Sequence, residues 1–210
     1  MKRIGFVGSE SADIALYLAR LLQSKESNVV VIDHTRKLSL MRNAGIPEEL
    51  TGKNGMYRDI EIFSEASACN FRNDAMVIDY YGYYAKAEQL KGSSMVVFVS
   101  DMLVYNAQLL KDIEVEEEVP KVLILRDAIP LKYKEKYLLT ETGQKISPDN
   151  MYVLPYNEGD YRSRCYLCID KKHKLTGLSE DMQRVIISLF NQIEGVELKR
   201  KEAAVLLKNA

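Results

Sequence analysis

Two kinds of segment alternate along most of the chain. Short continuous apolar runs rich in Val and Ile predict buried β-strands, and segments with apolar residues every three or four positions predict amphipathic helices. The strands are predicted at 2–8, 28–33, 74–79, 94–100, 120–125 and 151–155, with a half-exposed edge strand at 57–63. The helices are predicted at 13–23, 38–41, 64–69, 85–91, 103–113, 132–139, 160–170, 180–194 and 199–210.

This alternation of strands and helices determines the expected fold class. Continuous apolar strands need cover on both faces, so the pattern predicts a three-layer, doubly wound α/β fold with a mostly parallel sheet. In such sheets, ligands bind beyond the carboxyl ends of the strands. Polar residues follow several predicted strands, and we expect them to lie near that edge. They are Asp33, Asp79, Asp101, Arg126 and Asp127.

The loop between the first strand and the first helix is the first candidate site. A strand, a glycine turn, a helix and a second strand are how nucleotide-binding α/β domains begin. The loop therefore predicts a ligand site that lies against the start of helix 13–23. Its candidate ligand-binding residues are Gly8, Ser9, Glu10, Ser11, Ala12 and Asp13.

The same loop lacks most of the groups that bind phosphate. A Walker loop needs glycines that turn backbone N–H groups toward phosphate oxygens, and a lysine that meets their charge. No lysine precedes the helix here, and Glu10 and Asp13 would each repel phosphate by about 1 kcal/mol or more in a partly desolvated site. These two residues also occupy the second and third glycine positions of a dinucleotide fingerprint. Free N–H groups at the helix N-terminus remain, and either Ser11 or Asp13 can cap them.

The aspartates that end strands 28–33 and 74–79 form the second candidate site. Carboxylates at adjacent strand ends can hold a Mg²⁺ ion or position a water molecule. If the protein is an active enzyme, Asp33 and Asp79 are its candidate catalytic residues. The alternative is that each side chain caps the turn or helix that follows its strand.

Length and charge narrow the classes of function. The 210 residues fit one domain and suffice for a single large core. A net charge of −1 gives no reason to expect binding to nucleic acid. No apolar run approaches the roughly 20 residues of a membrane span, and no signal-peptide core begins the chain, so we expect a cytoplasmic protein without an integral membrane segment.

Several segments have counterparts in one known family. They are 2–7, 18–22, 30–33, 38–40, 55–60, 74–82, 95–101, 109–110, 154–157 and 177–179. Their order resembles that of the ParA/MinD group of P-loop ATPases, with segment 74–82 at the Walker B strand of that group. The resemblance covers nearly the whole chain and implies one ParA/MinD-like domain over residues 1–210. No cofactor is assigned from the residues themselves, whereas the resemblance implies ATP or ADP with Mg²⁺.

The departures from the family pattern are equally informative. The deviant Walker A loop of the family carries two lysines, and this chain has neither. Arg126 stands where the family usually has an asparagine that reads adenine, so Arg126, Asp33 and Asp79 join the loop as candidate nucleotide-binding residues. The resemblance therefore implies a degenerate member with lost or weak ATP hydrolysis that works as a binding and positioning module with a protein partner. Such members are similar to the TadZ/CpaE-like proteins of Flp pilus loci, which act as localisation or assembly factors for a pilus or secretion machine.

Two alternative functions remain open. The first is a nucleotide-dependent ATPase with an atypical loop, in which Lys53 or a lysine from a partner replaces the missing one. The second is an NAD(P)-binding Rossmann protein, in which segment 5–8 and Asp33 would resemble the glycine turn and the ribose-binding acid. The missing glycines and the segment that contains Asp79 argue against the second alternative.

A tyrosine cluster follows the strand that resembles Walker B. Tyrosine combines a large contact area with a polar tip and favours interfaces. The cluster therefore predicts an interaction surface for a protein partner, and it is also a candidate homodimer interface. The alternative is that two of the four side chains point into the core. The cluster consists of Tyr80, Tyr81, Tyr83 and Tyr84.

Cys165 and Cys168 form a lone CxxC motif. Some relatives of the resembled family carry a CxxC that bridges an iron–sulfur cluster across a dimer. A single pair supplies too few ligands for a metal without a second chain or other groups, such as His173 or Cys69. Two incidental thiols are the default interpretation, because three cysteines in a cytoplasmic protein are expected to be reduced.

Overall fold

The computed structural model describes residues 1–25, 28–47, 54–64, 75–129, 135–169 and 174–210. Within these ranges an eight-stranded sheet forms the middle layer. Its strands are β1 (Lys2–Gly8), β2 (Val29–Asp33), β3 (Asn54–Tyr57), β4 (Ile60–Phe63), β5 (Met76–Gly82), β6 (Met95–Ser100), β7 (Lys121–Ala128) and β8 (Met151–Pro155).

Eight α-helices accompany the sheet in the described ranges. They are α1 (Ala12–Gln23), α2 (Ser39–Asn43), α3 (Ala87–Leu90), α4 (Val104–Gln108), α5 (Glu135–Glu141), α6 (Glu158–Tyr166), α7 (Glu180–Glu194) and α8 (Arg200–Asn209). Short 3₁₀ turns lie at Pro148–Asn150 and Leu175–Gly177. None of the helices in this part of the chain is both long and apolar enough to cross a membrane.

The sheet has the order β3-β4-β2-β5-β1-β6-β7-β8. The first strand, β1, lies between β5 and β6 and runs parallel to both. The other described pairs are also parallel, except for the antiparallel pair of β3 and β4 at one edge. The predicted fold class, a mostly parallel sheet between helices, is confirmed.

The two faces of the sheet carry separate hydrophobic cores, because successive side chains of a strand point to opposite faces. Phe6 of β1 and Tyr80 of β5 belong to the larger core, which also contains the buried apolar residues of α1 and α7. Val7 and Tyr81 belong to the second core, on the other face. Helix α1 is buried from Ala12 to Leu22, since it packs between the sheet and α7.

Four predicted elements differ clearly from the structure. Segment 57–63 is not one strand, because a turn at Arg58, with φ of 54°, folds it into the β3–β4 hairpin. The strand predicted to end at Asp79 continues through Tyr80 and Tyr81 to Gly82 as β5. The helices predicted at 85–91 and 103–113 are shorter and correspond to α3 and α4. The helix predicted at 64–69 lies almost wholly outside the described residues.

Candidate functional site

The candidate site begins where β1 ends, at Gly8. This residue has a φ of 117°, and a Cβ atom there would lie 2.0 Å from the carbonyl oxygen of Val99. Only glycine therefore fits at this position. The next residue, Ser9, donates its N–H to the same carbonyl over 2.8 Å. The loop is thus fixed against the backbone of β6 at the carboxyl edge of the sheet.

The Glu10 carboxylate lies at the N-terminus of α1. Its Oε1 atom accepts hydrogen bonds from the Ala12 N–H (3.2 Å), the Tyr80 hydroxyl (3.1 Å) and the Asn43 side-chain amide (3.3 Å). The first N–H groups of a helix have no partner inside the helix and favour an anion. Glu10 is an exposed residue. Its carboxylate is nevertheless the anion at the start of this helix, and it comes from the chain itself.

The cap that was predicted for Ser11 or Asp13 is made by Glu10. Ser11 precedes α1 but makes no capping hydrogen bond with its side chain. Its N–H donates to the Tyr80 hydroxyl over 3.2 Å, and its buried hydroxyl has no hydrogen-bond partner within the described residues. The prediction was wrong because the longer acidic side chain of Glu10, one residue before Ser11, reaches forward to the first N–H of the helix.

Asp13 instead binds Arg126, which reaches it from β7. The two guanidinium nitrogens of Arg126 each donate to a different Asp13 oxygen over 3.0 Å, and both side chains are buried. Arg126 also donates to the carbonyl oxygen of Glu10. Burial alone would lower the pKa of Arg126, but the charge and hydrogen bonds of Asp13, together with the charges of Asp127 and Glu10, outweigh burial, and the pKa lies above its ordinary value. Arg126, predicted near a nucleotide base, is therefore turned toward the loop and neutralised there.

Asp33 closes the turn that follows β2. Its carboxylate accepts hydrogen bonds from the N–H and hydroxyl of Thr35 (2.9 and 2.7 Å) and from the N–H of Met41 in α2 (3.0 Å). Burial raises the pKa of Asp33, and the bonds from Thr35 and Met41 oppose that rise. These contacts fit the capping alternative for Asp33.

Asp79 lies inside β5 and not at its end, which corrects the prediction that it closes the strand. Its two oxygens accept hydrogen bonds from Arg3 (2.9 and 2.8 Å), and one of them also contacts His34 Nε2 at 2.9 Å. The bond to Asp79 raises the pKa of Arg3. The Asp79 carboxylate, which was predicted to hold Mg²⁺, is thus already hydrogen-bonded to the Arg3 guanidinium and the His34 ring.

The structure does not bring Asp33 and Asp79 together. Asp33 pairs with Tyr80 across the β2–β5 ladder, whereas Asp79 pairs with Ile32, one position earlier. Neighbouring positions of a strand project to opposite faces of the sheet. Asp33 therefore lies on the α1 face and Asp79 on the opposite face, beside Tyr81, whose ring stacks on His34 at 4.4 Å.

The tyrosine cluster divides into two pairs. Tyr80 and Tyr81 are buried on opposite faces of β5, because the strand continues through them. The interaction-surface prediction is therefore wrong for these two residues, and the alternative that two of the four side chains point into the core fits the structure. Tyr83 is half-buried, and its hydroxyl shares a 2.5 Å hydrogen bond with the Ser9 hydroxyl. Tyr84 is 86% exposed.

Two further apolar residues are exposed after β6, which is separated from β5 by β1 in the sheet. Leu103 is 62% exposed and Tyr105 is 69% exposed, at the start of α4. We name Tyr84, Leu103 and Tyr105 the edge patch. Sequence reasoning missed Leu103 and Tyr105, although their position just after an apolar strand end was a usable signal.

The remaining candidate residues do not join this site. Cys165 lies in α6 and Cys168 just after it, and both are exposed. No group of three or more potential metal ligands occurs within the described ranges. Lys53, Cys69 and His173, which were considered as helpers, lie outside those ranges.

Comparison with known proteins identifies the fold. No protein-family model and no curated protein matches the sequence. A solved ParA family ATPase from Chlorobium tepidum TLS is similar, with a TM-score of 0.53 and 14% identity over 98% of this chain and 97% of that one. The MinC:MinD cell division protein complex of Aquifex aeolicus contains a similar chain, with a TM-score of 0.51 and 10% identity over 95% of this chain and 99% of that one. The chain therefore has the α/β fold of ParA and MinD ATPases.

Proposed function

We propose that this chain is a degenerate ParA/MinD-like protein that acts as a single unit over residues 1–210. It binds a protein partner and does not hydrolyse ATP. The observation that carries this proposal is the Glu10 carboxylate at the N-terminus of α1, where a P-loop protein would hold phosphate. In this proposal the chain retains the fold of a nucleotide-binding site, and the Glu10 carboxylate takes the place of the phosphate group.

A phosphate group would meet two obstacles at this loop. It would have to displace Glu10 from the Ala12 N–H, the Tyr80 hydroxyl and the Asn43 amide, and it would then lie close to a second negative charge. Arg126, a cation near the loop, would do little to stabilise a bound phosphate, because it is already paired with buried Asp13. Like charges in a partly desolvated site cost about 1 kcal/mol or more per pair.

The carboxylates that would hold a metal ion support the same conclusion. Phosphoryl transfer needs Mg²⁺ beside the phosphates, held in part by a free carboxylate. Asp79 accepts bonds from Arg3 and His34, and Asp33 accepts bonds from Thr35 and Met41 on the other face. A magnesium site built on either residue would require these bonds to break.

The edge patch is the surface that we assign to the partner. Aromatic residues are enriched in protein interfaces because they bury a large area at low entropic cost. Tyr84, Leu103 and Tyr105 expose such area after β5 and β6, the two strands that flank β1. The similar MinD chain is in a complex with MinC, which supports a protein as the partner class. A second copy of this chain is the first partner to test. The resemblance to TadZ/CpaE-like proteins supports a proposed role in pilus or secretion-machine assembly.

Calorimetric titration with ATP, ADP and NADH, each with and without Mg²⁺, separates the candidate functions. We expect no saturable heat with any of the three ligands. Tight ATP binding with turnover would contradict the proposal and favour the ATPase with an atypical loop. Binding of NADH alone would favour the Rossmann alternative. Inorganic sulfate at matched ionic strength serves as the control for nonspecific anion effects.

A further inference from the structure

The two cysteines at the end of α6 have the spacing that an internal disulfide requires. Leu167, between them, keeps helical dihedral angles, with φ of −49° and ψ of −43°. Ile169 donates its N–H to the Tyr166 carbonyl over 2.9 Å, so the helical turn continues past Cys168. Residues three apart in such a turn have Cα atoms about 5 Å apart, within the range of about 4.4 to 6.8 Å found for disulfides.

The side chains are also placed for the bond. The Cys168 Sγ atom lies 4.0 Å from the carbonyl oxygen of Cys165, so the Cys168 side chain points back over the turn that carries Cys165. Both cysteines are exposed and free, so an oxidant in solution reaches either sulfur. Within the described residues no third metal ligand joins the pair, whereas a zinc ion takes four ligands.

We propose that Cys165 and Cys168 are a redox modification site that forms a reversible internal disulfide. The oxidant is a low-molecular-weight disulfide such as oxidised glutathione. One cysteine attacks it and forms a mixed disulfide, which releases one glutathione thiol. The second cysteine attacks the protein sulfur of that mixed disulfide, the internal S–S bond forms, and the second glutathione thiol leaves. Two electrons and two protons pass from the protein to the two glutathione molecules.

The position of the pair links it, through the end of α2, to the candidate site at Glu10. A Cβ atom on Gly45 would lie 2.5 Å from the Cys168 carbonyl oxygen, so the backbone of this turn packs against the chain just after α2. Asn43 at the end of α2 is the residue that donates to Glu10. A disulfide that restrains the turn therefore also restrains the end of α2. We expect the amide hydrogen exchange of Gly45 and Ile169 to slow on oxidation.

The test uses the native chain, because trypsin releases both cysteines in one peptide. Cleavage after Arg164 and Lys171 gives the peptide 165–171, and Cys69 lies in a different peptide. The protein is equilibrated in glutathione buffers of increasing oxidised fraction, quenched with acid, alkylated, digested and analysed by mass spectrometry. We expect peptide 165–171 to lose two hydrogen atoms without a glutathione adduct, and reduced glutathione to reverse the change.

Two variants control the assignment. Cys165→Ser and Cys168→Ser each leave one thiol in the peptide, and each should take up one glutathione and never lose two hydrogen atoms. The proposal is overturned if the native peptide carries two glutathione adducts as its main product. It is also overturned if the native pair remains fully alkylated in a buffer that glutathionylates both single-cysteine variants. Slower exchange of Gly45 and Ile169 only in the oxidised native chain supports the link to α2, and unchanged exchange refutes it.

Discussion

Arg126 and Asp13, 113 residues apart in the sequence, form a buried pair with two hydrogen bonds of 3.0 Å. The pair connects β7 to the first turn of α1 across the carboxyl ends of the strands between them. It also makes the Arg126 guanidinium unavailable to a ligand, because this group faces a carboxylate of its own chain. The loop is thereby held closed from the β7 side, while Glu10 holds it from the α2 side.

The first prediction concerns the stability that depends on this pair. Arg126→Met leaves Asp13 buried without its partner, and we expect a loss of about 3 to 5 kcal/mol in the free energy of unfolding. Arg162→Met is the matched control, because its ion pair with Glu158 is exposed and should contribute less than about 1 kcal/mol. Urea unfolding followed by circular dichroism measures both values.

The double variant Asp13→Leu/Arg126→Met completes this experiment. Replacing both partners with apolar side chains removes the buried unpaired charge, so we expect most of the lost stability to return. Additive losses in the double variant would contradict a direct interaction between the two residues.

The second prediction concerns the hydroxyl of Tyr80. It accepts from the Ser11 N–H and donates to Glu10, and both bonds are lost in Tyr80→Phe. We expect a loss of about 1 to 3 kcal/mol in the free energy of unfolding, with changed amide resonances at Ser11 and Ala12. Tyr84→Phe, at an exposed position, should change stability by less than about 0.5 kcal/mol. Equal effects of the two variants would refute the role given to Tyr80.

The third prediction is a pH dependence that arises from Asp33. Burial raises the pKa of Asp33 above its ordinary value of 3.8, so folding favours the protonated form. Its contribution to stability is therefore fully present below that value, and is lost as the pH rises through the folded-state pKa. We expect the stability of the native chain relative to Asp33→Asn to fall as the pH rises above 3.8. A difference that is constant or that increases with pH would contradict this account.

The fourth prediction tests the edge patch. If a second copy of the chain is the partner, Leu103→Glu/Tyr105→Glu should shift the protein toward the monomer, because two charges would enter an apolar interface. Val205→Glu, an exposed apolar position on α8, is the matched control and should leave self-association unchanged. Size-exclusion chromatography with light scattering measures the mass. A native chain that stays monomeric at high concentration would remove the homodimer from the proposal.

Much of the fold follows from the sequence because parallel strands are buried on both faces. Such strands appear as continuous apolar runs, and the segments that became β1, β2, β6, β7 and β8 were identified in this way. The β3–β4 hairpin was missed because apolar residues alternate on both sides of the turn at Arg58. The turn of Arg58 and Asp59, with Arg58 in a left-handed conformation, separates the two strands.

The candidate site was less predictable because its contacts join distant segments. Local sequence identifies Glu10 as an acid in a loop, but not Asn43 or Tyr80 as its partners. The strand that contains Asp79 was predicted to end one residue before Tyr80, so the face on which each side chain lies was not determined. Arg3 and His34 were not expected to bind Asp79, because nothing in their local pattern distinguishes a buried ion pair from a solvated charge.

The amide resonance of Ala12 provides the most direct test of the closed loop. In a ¹⁵N-labelled sample, the Ala12 N–H reports the hydrogen bond that Glu10 occupies at the N-terminus of α1. We predict that the Ala12 and Ser11 amide resonances stay unchanged when ATP and Mg²⁺ are added in excess. A saturable shift of both resonances, with ATP but not with sulfate at equal ionic strength, would contradict the claim that the loop is closed by its own side chains.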